Sequence, residues 1–199
     1  PGTFRVEPDL SNAGYFWAIG AVTGKMIYVR NISPNSLQGD LKQMHILEKM
    51  GCTISIKDNE IGVCGRDLIG IDIDMSDTPD AVPAIAIVAC FARGRTRILN
   101  IKHLREKESD RINAIATQVK KMGINVKQGD DFLEIKGGRS TRTGLKGVRP
   151  KGAMIETFND HRIAMAFSIP GLIIPGMEIQ NPACVQKSFP NYWKIFDEL

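Results

Sequence analysis

The sequence reads EKMGCTISIKDNEIGV at residues 48–63 and KKMGINVKQGDDFLEI at residues 120–135, so the chain repeats itself. In both copies a helical pattern ends at a Met-Gly pair, and glycine is a common C-terminal cap. Two short strand-forming runs then surround a polar turn, which predicts a β-hairpin. The repeat therefore indicates a fold built from copies of one helix-and-hairpin unit.

A second helical pattern occurs three times, and each copy precedes a predicted strand. The copies are SNAGYFWAIGAVTG (11–24), AVPAIAIVACFARG (81–94) and HRIAMAFSIPGLIIPG (161–176). These helices are apolar on nearly all sides, so we expect them to be buried. The resulting prediction is an α/β (α+β) fold of three βαβαββ repeats, with helices inside and sheets outside. Pseudo-threefold symmetry would then gather the three helix starts on one side.

The predicted elements follow from this pattern. Strands are expected at residues 3–7, 25–32, 52–57, 61–65, 70–75, 95–101, 124–128, 132–136, 153–158 and 177–180. Helices are expected at about 11–23, 38–50, 81–93, 110–122, 161–174 and 184–197. We expect a single domain over 1–199, with repeats at about 1–67, 68–138 and 150–199 and a basic loop at 139–151. The third repeat would lack its closing strand pair, because the chain stops at Leu199.

Bulk composition excludes several classes of protein. The net charge of +4 is mild, and no apolar run approaches the roughly 20 residues that cross a bilayer. The four cysteines form no Cys-x-x-Cys pair and match no zinc spacing. We therefore expect a cytoplasmic protein with reduced thiols and no membrane partner. The chain begins Pro-Gly-Thr without a methionine, as expected for a piece of something longer.

Two charged runs, KESDR (107–111) and NDHR (159–162), come directly before helical patterns. Each run places an arginine in the first turn of a helix, Arg111 or Arg162. A helix N-terminus carries positive partial charge, so helix stability alone would favour Asp or Glu there. Exposed N–H groups and guanidinium groups together predict a site for an anion.

Two carboxylates near these runs have more than one interpretation. Asp80 could be the N-cap of the helix that follows it, with Pro83 at N3, or a base at the mouth of the site. The two roles are compatible. Glu108 could belong to an exposed ion-pair network around a helix start capped by Ser109, or it could be a general acid–base group.

The remaining candidates are cations and a histidine. His161 follows Asp160, a plausible N-cap, and lies beside an arginine, which favours a functional role. Lys187 would by default be a surface lysine. Together the candidates predict a site for a small polyanion with acid–base chemistry: Asp80, Lys107, Glu108, Arg111, His161, Arg162 and Lys187. The sequence has no P-loop, Rossmann fingerprint or His-x-x-x-His pair, so we expect neither a metal nor a cofactor.

Six segments closely resemble the C-terminal domain of the 5-enolpyruvylshikimate-3-phosphate synthase family. They are VEPDLSNAGYF (6–16), SLQGDL with ILEKMG (36–51), DTPDAVPAIA (77–86), LREKESDRI (104–112), TFNDHRIAMAFS (157–168) and KSFPNYW (187–193). The resemblance implies an inside-out α/β barrel of two similar domains, each with three βαβαββ units. It also implies transfer of the carboxyvinyl group of phosphoenolpyruvate to the 5-hydroxyl of shikimate 3-phosphate, with release of phosphate and without a cofactor.

The resemblance also implies a role for each matching residue. Asp80 would act as the base, and Glu108 would protonate the methylene carbon of phosphoenolpyruvate. The other matches would bind substrate: Arg111, Arg162 and Lys187 at phosphoenolpyruvate, His161 nearby, and Lys107 at shikimate 3-phosphate. Some family members have an asparagine that contacts shikimate 3-phosphate where this chain has His103, so that contact is in question.

The family's N-terminal domain is missing, and the active site lies between the domains. We therefore expect this chain to fold, to hold about half of the site and to turn over negligibly alone. The implied partners are phosphoenolpyruvate, shikimate 3-phosphate, the chain's own N-terminal domain and glyphosate, an inhibitor that occupies the phosphoenolpyruvate site. No nucleic acid is expected.

Three other functions remain open on sequence grounds. One is an enzyme like the UDP-N-acetylglucosamine enolpyruvyl transferase, although KESDR and NDHR are not expected there. The second is a nucleic-acid-binding βαβαββ module that uses the basic loop 139–151, although the few aromatic residues are not interleaved with its cations. The third is a non-catalytic interaction module.

Overall fold

The structure, a computed structural model, describes residue 2, residues 6–138 and residues 149–199. The predicted strand 3–7 and the predicted basic loop 139–151 lie mostly outside these ranges. The helices are α1 (Leu10–Thr23), α2 (Lys42–Lys49), α3 (Val82–Phe91), α4 (Arg111–Lys121), α5 (His161–Ser168) and α6 (Tyr192–Asp197). The strands are β1 (Ile27–Arg30), β2 (Cys52–Lys57), β3 (Glu60–Gly65), β4 (Asp72–Asp74), β5 (Gly94–Leu99), β6 (Asn125–Gln128), β7 (Leu133–Gly137), β8 (Met154–Ile155) and β9 (Glu178–Ile179).

Three sheets carry the repeat. The second sheet has the order β4-β5-β7-β6, with β4 and β5 parallel and the other neighbours antiparallel. The order of the first sheet, β1-β3-β2, matches β5-β7-β6 of the second sheet. The parallel pair β8-β9 matches the pair β4-β5 of the second sheet. The strand register is the same in the two hairpins. Ile54 pairs with Val63 in one, and Val126 and Ile135, at the corresponding positions of the repeat, pair in the other. The expected α/β architecture of three βαβαββ repeats is confirmed.

The core lies around the first helix of each repeat. Every residue of α3 is buried, and nearly every residue of α1 and α5 is buried too. The sheets cover these helices, and the Trp17 indole Nε1 donates a 3.1 Å hydrogen bond from α1 to the Ile61 carbonyl of β3. The helices are therefore inside, as expected from their apolar surfaces. Within the described ranges, no helix has the length and apolar character to cross a bilayer.

Two of the predicted helices are wrong in extent, and proline is the cause in both cases. The helix predicted at 161–174 ends at Ser168 and continues as a 3₁₀ turn, Ile169–Leu172, because Pro170 has no N–H to donate to the preceding turn. The helix predicted at 184–197 is instead a 3₁₀ turn, Pro182–Lys187, followed by α6 beyond Pro190.

Several predicted strands are too long, because residues in the left-handed region end them. Asn31 has φ of 61° and ends β1, and Asn100 has φ of 60° and ends β5. The strand predicted at 153–158 shrinks to β8, and Phe158 and Asn159, with φ of 53° and 56°, lie in the turn before α5. Asn and Asp tolerate this conformation better than most residues, and here it starts the turns that lead toward the helices.

Candidate active site

The starts of several helices meet on one side of the molecule. Ser11 is in the first turn of α1, Arg111 begins α4 and Arg162 is the second residue of α5. The Arg162 Nη2 donates a 3.2 Å hydrogen bond to Ser11 Oγ, although the two residues are 151 positions apart. Because Arg162 Nη2 also donates to Asp80, just before α3, at 2.9 Å, the prediction that the repeat gathers the starts of α1, α3 and α5 is confirmed.

Arg111 is the centre of the site. Its side chain is 1% exposed and lies among three carboxylates. Nε donates to Asp160 at 2.8 Å, Nη1 donates to Asp80 at 3.0 Å, and Nη2 donates to Glu108. An arginine presents its donors in a rigid planar fork, so one buried side chain fixes all three carboxylates. Both charged runs therefore meet at one guanidinium.

Arg162 is the second cation of the site. Its side chain is 12% exposed, and Nη2 donates to Asp80 Oδ2 at 2.9 Å. Since Arg111 binds Oδ1 of the same carboxylate, Asp80 lies between two guanidinium groups. Burial alone would lower the pKa of Arg162, but nearby Tyr15 and Asp80 raise it overall, so the guanidinium stays charged.

Asp80 does not cap a helix, and that prediction is wrong. It lies inside a 3₁₀ turn, Pro79–Ala81, that leads into α3, and no side-chain cap is formed at either position. Pro83 removes one of the backbone N–H groups that a capping carboxylate at Asp80 could bind. Both carboxylate oxygens are consequently available to the arginines. The side chain is 32% exposed, so it also reaches the surface.

Glu108 lies at the edge of the cluster, with its side chain 37% exposed. Partial burial would raise its pKa, but its backbone hydrogen bond and Arg111 hold the pKa below the ordinary value. The neighbouring cap prediction was wrong. Asp110 is the N-cap of α4 and accepts from the Asn113 N–H at 3.0 Å, whereas Ser109 donates its hydroxyl to Asp160.

Asp160 caps α5, as expected, and also binds Arg111. Its side chain is fully buried, and Oδ1 accepts from the Arg162 backbone N–H at 2.9 Å. Burial would raise its pKa, but Arg111, the Arg162 N–H and Ser109 outweigh burial and lower it. Asp160 is therefore a charged carboxylate in the interior, held by a cation and by hydrogen bonds.

His161 is buried beside this cluster. Its Nδ1 lies 3.9 Å from Asp160 Oδ1 and has no hydrogen-bond partner among the described residues. Burial, followed by the charge of Arg162, lowers the pKa of the imidazole. The ring is consequently neutral at pH 7 and can still accept or donate a hydrogen bond.

The remaining predicted residues are exposed around the cluster rather than in it. Lys107 directly precedes Glu108, and His103 lies on the 3₁₀ turn Lys102–Glu106. Lys187 ends the 3₁₀ turn Pro182–Lys187, close enough to Cys184 for both its charge and that of Asp160 to act on the thiol pKa. All three residues are exposed.

Sequence reasoning missed several residues of the site. Asp160 was considered only as a cap, and Ser11 and Tyr15 were not considered at all. A signal was present, because Asp9, Asp80 and Asp160 occupy equivalent places before the three repeated helices. Aligning the three helix starts would have placed Ser11 opposite Arg162. Within the described part of the chain, no group of three or more His, Cys, Asp and Glu side chains could hold a metal ion.

Comparison with known proteins agrees with this geometry. The family model described as EPSP synthase (3-phosphoshikimate 1-carboxyvinyltransferase) matches residues 1–196. The chain belongs to the EPSP synthase family. A 3-phosphoshikimate 1-carboxyvinyltransferase of Syntrophobacter fumaroxidans is 42% identical over 199 residues, which is all of this chain and 45% of that protein. The chain thus spans under half the length of this relative.

Solved structures give the same result. An EPSP synthase from Acinetobacter baumannii superposes with a TM-score of 0.81 at 31% identity, covering 97% of this chain and 46% of that one. The enolpyruvyl transferase NikO from Streptomyces tendae superposes with a TM-score of 0.73 over 98% of this chain and 44% of that one. At 18% identity, NikO shows the fold alone. The inside-out α/β barrel expected for the EPSP synthase family is confirmed.

Proposed function

We propose that the whole protein containing this chain transfers the carboxyvinyl group of phosphoenolpyruvate to the 5-hydroxyl of shikimate 3-phosphate and releases phosphate. The observation that carries the proposal is Asp80 held between Arg111 and Arg162, with Glu108 on the same Arg111. Two proton-transfer groups beside two anion-binding groups suit acid–base chemistry on a phosphorylated carboxylate. Family membership supports the same reaction.

In this reaction the side chains would act in sequence. Glu108 donates a proton to the methylene carbon of phosphoenolpyruvate, which builds positive charge at C2. The substrate hydroxyl attacks C2 while Asp80 takes the hydroxyl proton, and a tetrahedral intermediate forms. The bond from C2 to the phosphate oxygen then breaks, the leaving phosphate takes up the proton that Asp80 removed, and the new methyl group returns a proton to Glu108. Arg111, Arg162 and Lys187 stabilise the charge on the leaving phosphate.

The electrostatics of Glu108 bear on this role. Without substrate, Arg111 helps to hold the pKa of Glu108 below its ordinary value, so the group is ionised at neutral pH. An acid must carry its proton before it can donate it. Anionic substrate groups bound beside Glu108 would disfavour its charged form and raise the pKa of that carboxyl. Substrate binding would therefore prepare the acid.

The other substrate contacts are proposed by motif match and exposure. Lys107 would contact shikimate 3-phosphate, and His161 would lie near phosphoenolpyruvate. His103 replaces an asparagine, so its contact with shikimate 3-phosphate would have to use an imidazole nitrogen. We further propose a cytoplasmic enzyme that needs no cofactor and is inhibited by glyphosate at the phosphoenolpyruvate site.

The chain itself is proposed to be one domain, 1–199, that supplies about half of the active site. Its three repeats would lie at about 1–67, 68–138 and 150–199. The other half would come from an N-terminal domain, since the chain spans 45% of its Syntrophobacter relative. The helix starts face the side where that domain would close, and a cleft between the domains would exclude water from the reaction.

Release of phosphate from phosphoenolpyruvate plus shikimate 3-phosphate tests the proposal. We expect turnover by the whole protein, negligible turnover by this chain alone, and partial recovery when the N-terminal half is supplied in trans. Asp80→Asn in the whole protein should reduce kcat by roughly 10²–10⁴. Asp77→Asn is the matched control, because Asp77 is an exposed carboxylate paired with Lys42. An inactive whole protein, or equal losses in both variants, would contradict the proposal.

A further inference from the structure

Two acceptors hold one nitrogen of the Arg162 guanidinium. Its Nη2 donates to Asp80 Oδ2 at 2.9 Å and to Ser11 Oγ at 3.2 Å. A terminal guanidinium nitrogen carries two hydrogens, so these two bonds use both donors of Nη2. The orientation of the guanidinium therefore depends on Ser11 as well as on the carboxylate.

Ser11 is the more rigid of the two acceptors. The residue lies in the first turn of α1 and is 4% exposed, whereas the Asp80 side chain is 32% exposed. Almost all of α1 is buried, and the helix belongs to the core of the fold. A group on a packed helix is placed more precisely than one on an exposed turn, so Ser11 is the fixed reference for Arg162.

The direction of each hydrogen bond follows from the groups present. A guanidinium can only donate, and an ionised carboxylate can only accept. Asp9 Oδ1 accepts the Ser11 hydroxyl proton at 2.7 Å, so the lone pairs of Ser11 Oγ are left for Arg162. Asp9 thereby makes Ser11 an acceptor toward the arginine.

A second hydroxyl group of α1 lies beside the same guanidinium. Tyr15 is four residues beyond Ser11, so the two side chains share one face of the helix. Tyr15 is fully buried, and burial alone would lower the pKa of Arg162, but the Tyr15 hydroxyl is among the groups that raise it. Arg162, from the third repeat, thus lies against one face of the first helix of the first repeat.

The contact with Arg162 is separate from the backbone cap of α1. The Ser11 backbone N–H donates to Asp9 Oδ1 at 2.9 Å, and this bond does not need the hydroxyl group. An alanine at position 11 would keep that N–H and therefore the helix start. The hydroxyl group can consequently be removed while the cap remains.

We propose, building on the reaction proposed above, that Ser11 is a positioning residue for the binding of phosphoenolpyruvate. It acts through Arg162, whose Nη2 it holds from α1 while Asp80 holds the same nitrogen from the turn before α3. Without the hydroxyl group, one hydrogen of Nη2 loses its acceptor, and the guanidinium can turn away from the orientation that meets the substrate anion. Binding is then weakened in the ground state and the transition state alike, since Arg162 holds the substrate in both.

Steady-state kinetics of the whole protein test this role in four forms: the wild type, Ser11→Ala, Ser11→Thr and Ser168→Ala. In Ser11→Ala the KM for phosphoenolpyruvate should rise roughly tenfold, with kcat changed by less than about threefold. The KM for shikimate 3-phosphate should stay within about twofold, because Arg162 is proposed to bind the other substrate. Ser11→Thr keeps a hydroxyl group and should restore most of the affinity for phosphoenolpyruvate.

Ser168→Ala is the matched control. Ser168 is also 4% exposed, and its hydroxyl group bonds to the Met165 carbonyl and the Tyr192 hydroxyl. It lies at the opposite end of α5 from Arg162. Removing this buried hydroxyl group should therefore leave both KM values as in the wild type.

Inorganic phosphate gives a second measurement that needs no turnover. An anion that binds only the folded protein raises the unfolding midpoint. The rise with added phosphate should be smaller in Ser11→Ala than in the wild type and in Ser168→Ala. The general stabilising effect of the salt is common to all forms, so the difference reports binding at the site.

The two measurements separate this inference from the proposed reaction. In an active protein the KM values decide: unchanged values in Ser11→Ala, an equal rise of both KM values, or a folded Ser11→Thr no better than Ser11→Ala overturns the role of Ser11. An inactive whole protein contradicts the reaction, and the phosphate measurement then decides, since an equal rise in Ser11→Ala and Ser168→Ala overturns the role of Ser11.

The unfolding midpoints without phosphate show whether each variant folds. If Ser11→Ala does not fold, Ser11→Gly, which also lacks the hydroxyl group, is judged by the same criteria. If Ser11→Thr does not fold, Ser11→Cys takes its place. A thiol is a weak acceptor, so Ser11→Cys should bind phosphoenolpyruvate better than Ser11→Ala and less well than the wild type.

Discussion

The helices α3 and α5 begin with equivalent sequences, Asp80-Ala81-Val82 and Asp160-His161-Arg162, yet their aspartates act differently. Asp160 is fully buried, caps α5 and accepts from the Arg162 backbone N–H. Asp80 is 32% exposed, caps nothing and binds only side chains. One position of the repeat thus serves helix stability in one copy and is available for chemistry in another.

Local sequence accounts for the difference. The Val82 N–H, which is the counterpart of the Arg162 N–H, donates to the Pro79 carbonyl in the 3₁₀ turn, and Pro83 supplies no N–H. In α5 the Arg162 N–H donates to Asp160 instead. Because Asp80 does not cap a helix, its carboxylate oxygens accept from the two arginines.

Arg111 joins the two aspartates, so its removal should have the largest effect on stability. In Arg111→Met, Asp160 would remain buried without its cation, and breaking a buried pair in this way costs about 3–5 kcal/mol. Urea unfolding of this chain measures the loss. Arg95→Met is the matched control, because the Arg95–Asp72 pair is half-exposed and should contribute under about 1 kcal/mol. Equal losses in the two variants would mean that Arg111 does not hold a buried charge.

Asp160→Asn should have a smaller effect, because an asparagine can still cap α5. It loses the charge-assisted bond with Arg111, which predicts a cost of about 2 kcal/mol in the free energy of unfolding. Asp9, the equivalent cap of α1, is exposed. Asp9→Asn should therefore lower the free energy of unfolding by under about 0.5 kcal/mol. If both substitutions cost the same, the cap rather than the buried ion pair would account for the role of Asp160.

The smallest expected effect comes from His161, which has Ala81 as its counterpart in α3. Burial and the charge of Arg162 lower the folded-state pKa of His161, so the unfolded chain binds a proton first as the pH falls. The contribution of neutral His161 to the free energy of unfolding is complete above the ordinary pKa of about 6.5. It is lost as the pH falls toward the lower folded-state pKa. Urea unfolding should show stability declining from about pH 7 to pH 5, and His161→Gln should flatten that decline. A wild-type slope in His161→Gln would refute the assignment.

Much of the fold could be predicted because the repeat can be recognised in the sequence. The Met50-Gly51 and Met122-Gly123 pairs located two hairpins, and the apolar stretches located three buried helices. The prolines at 170 and 190 did not reveal the helix ends, since the apolar patterns continue past them. A helical backbone cannot continue in the same way, because proline lacks the N–H. The short 3₁₀ turns gave no periodic signal, because they span too few residues.

The site was predictable in part of its membership and not in its contacts. KESDR and NDHR indicated arginines at helix starts, and both arginines lie there. Which carboxylate each arginine binds depends on packing between repeats, as the contact between Arg111 and Asp160 shows across 49 positions.

The contact between Arg162 and Ser11 has a consequence for synthesis of the protein. Ser11 is made 151 positions before its partner Arg162. Until then the growing chain can form the first two repeats, while Arg111 lacks Asp160 and α1 lacks the third helix beside it. The charged cluster around Arg111 is thus completed only after residue 160 has been added. A chain released before residue 160 would keep the Arg111 contacts with Asp80 and Glu108 but lack Asp160, the partner that is fully buried.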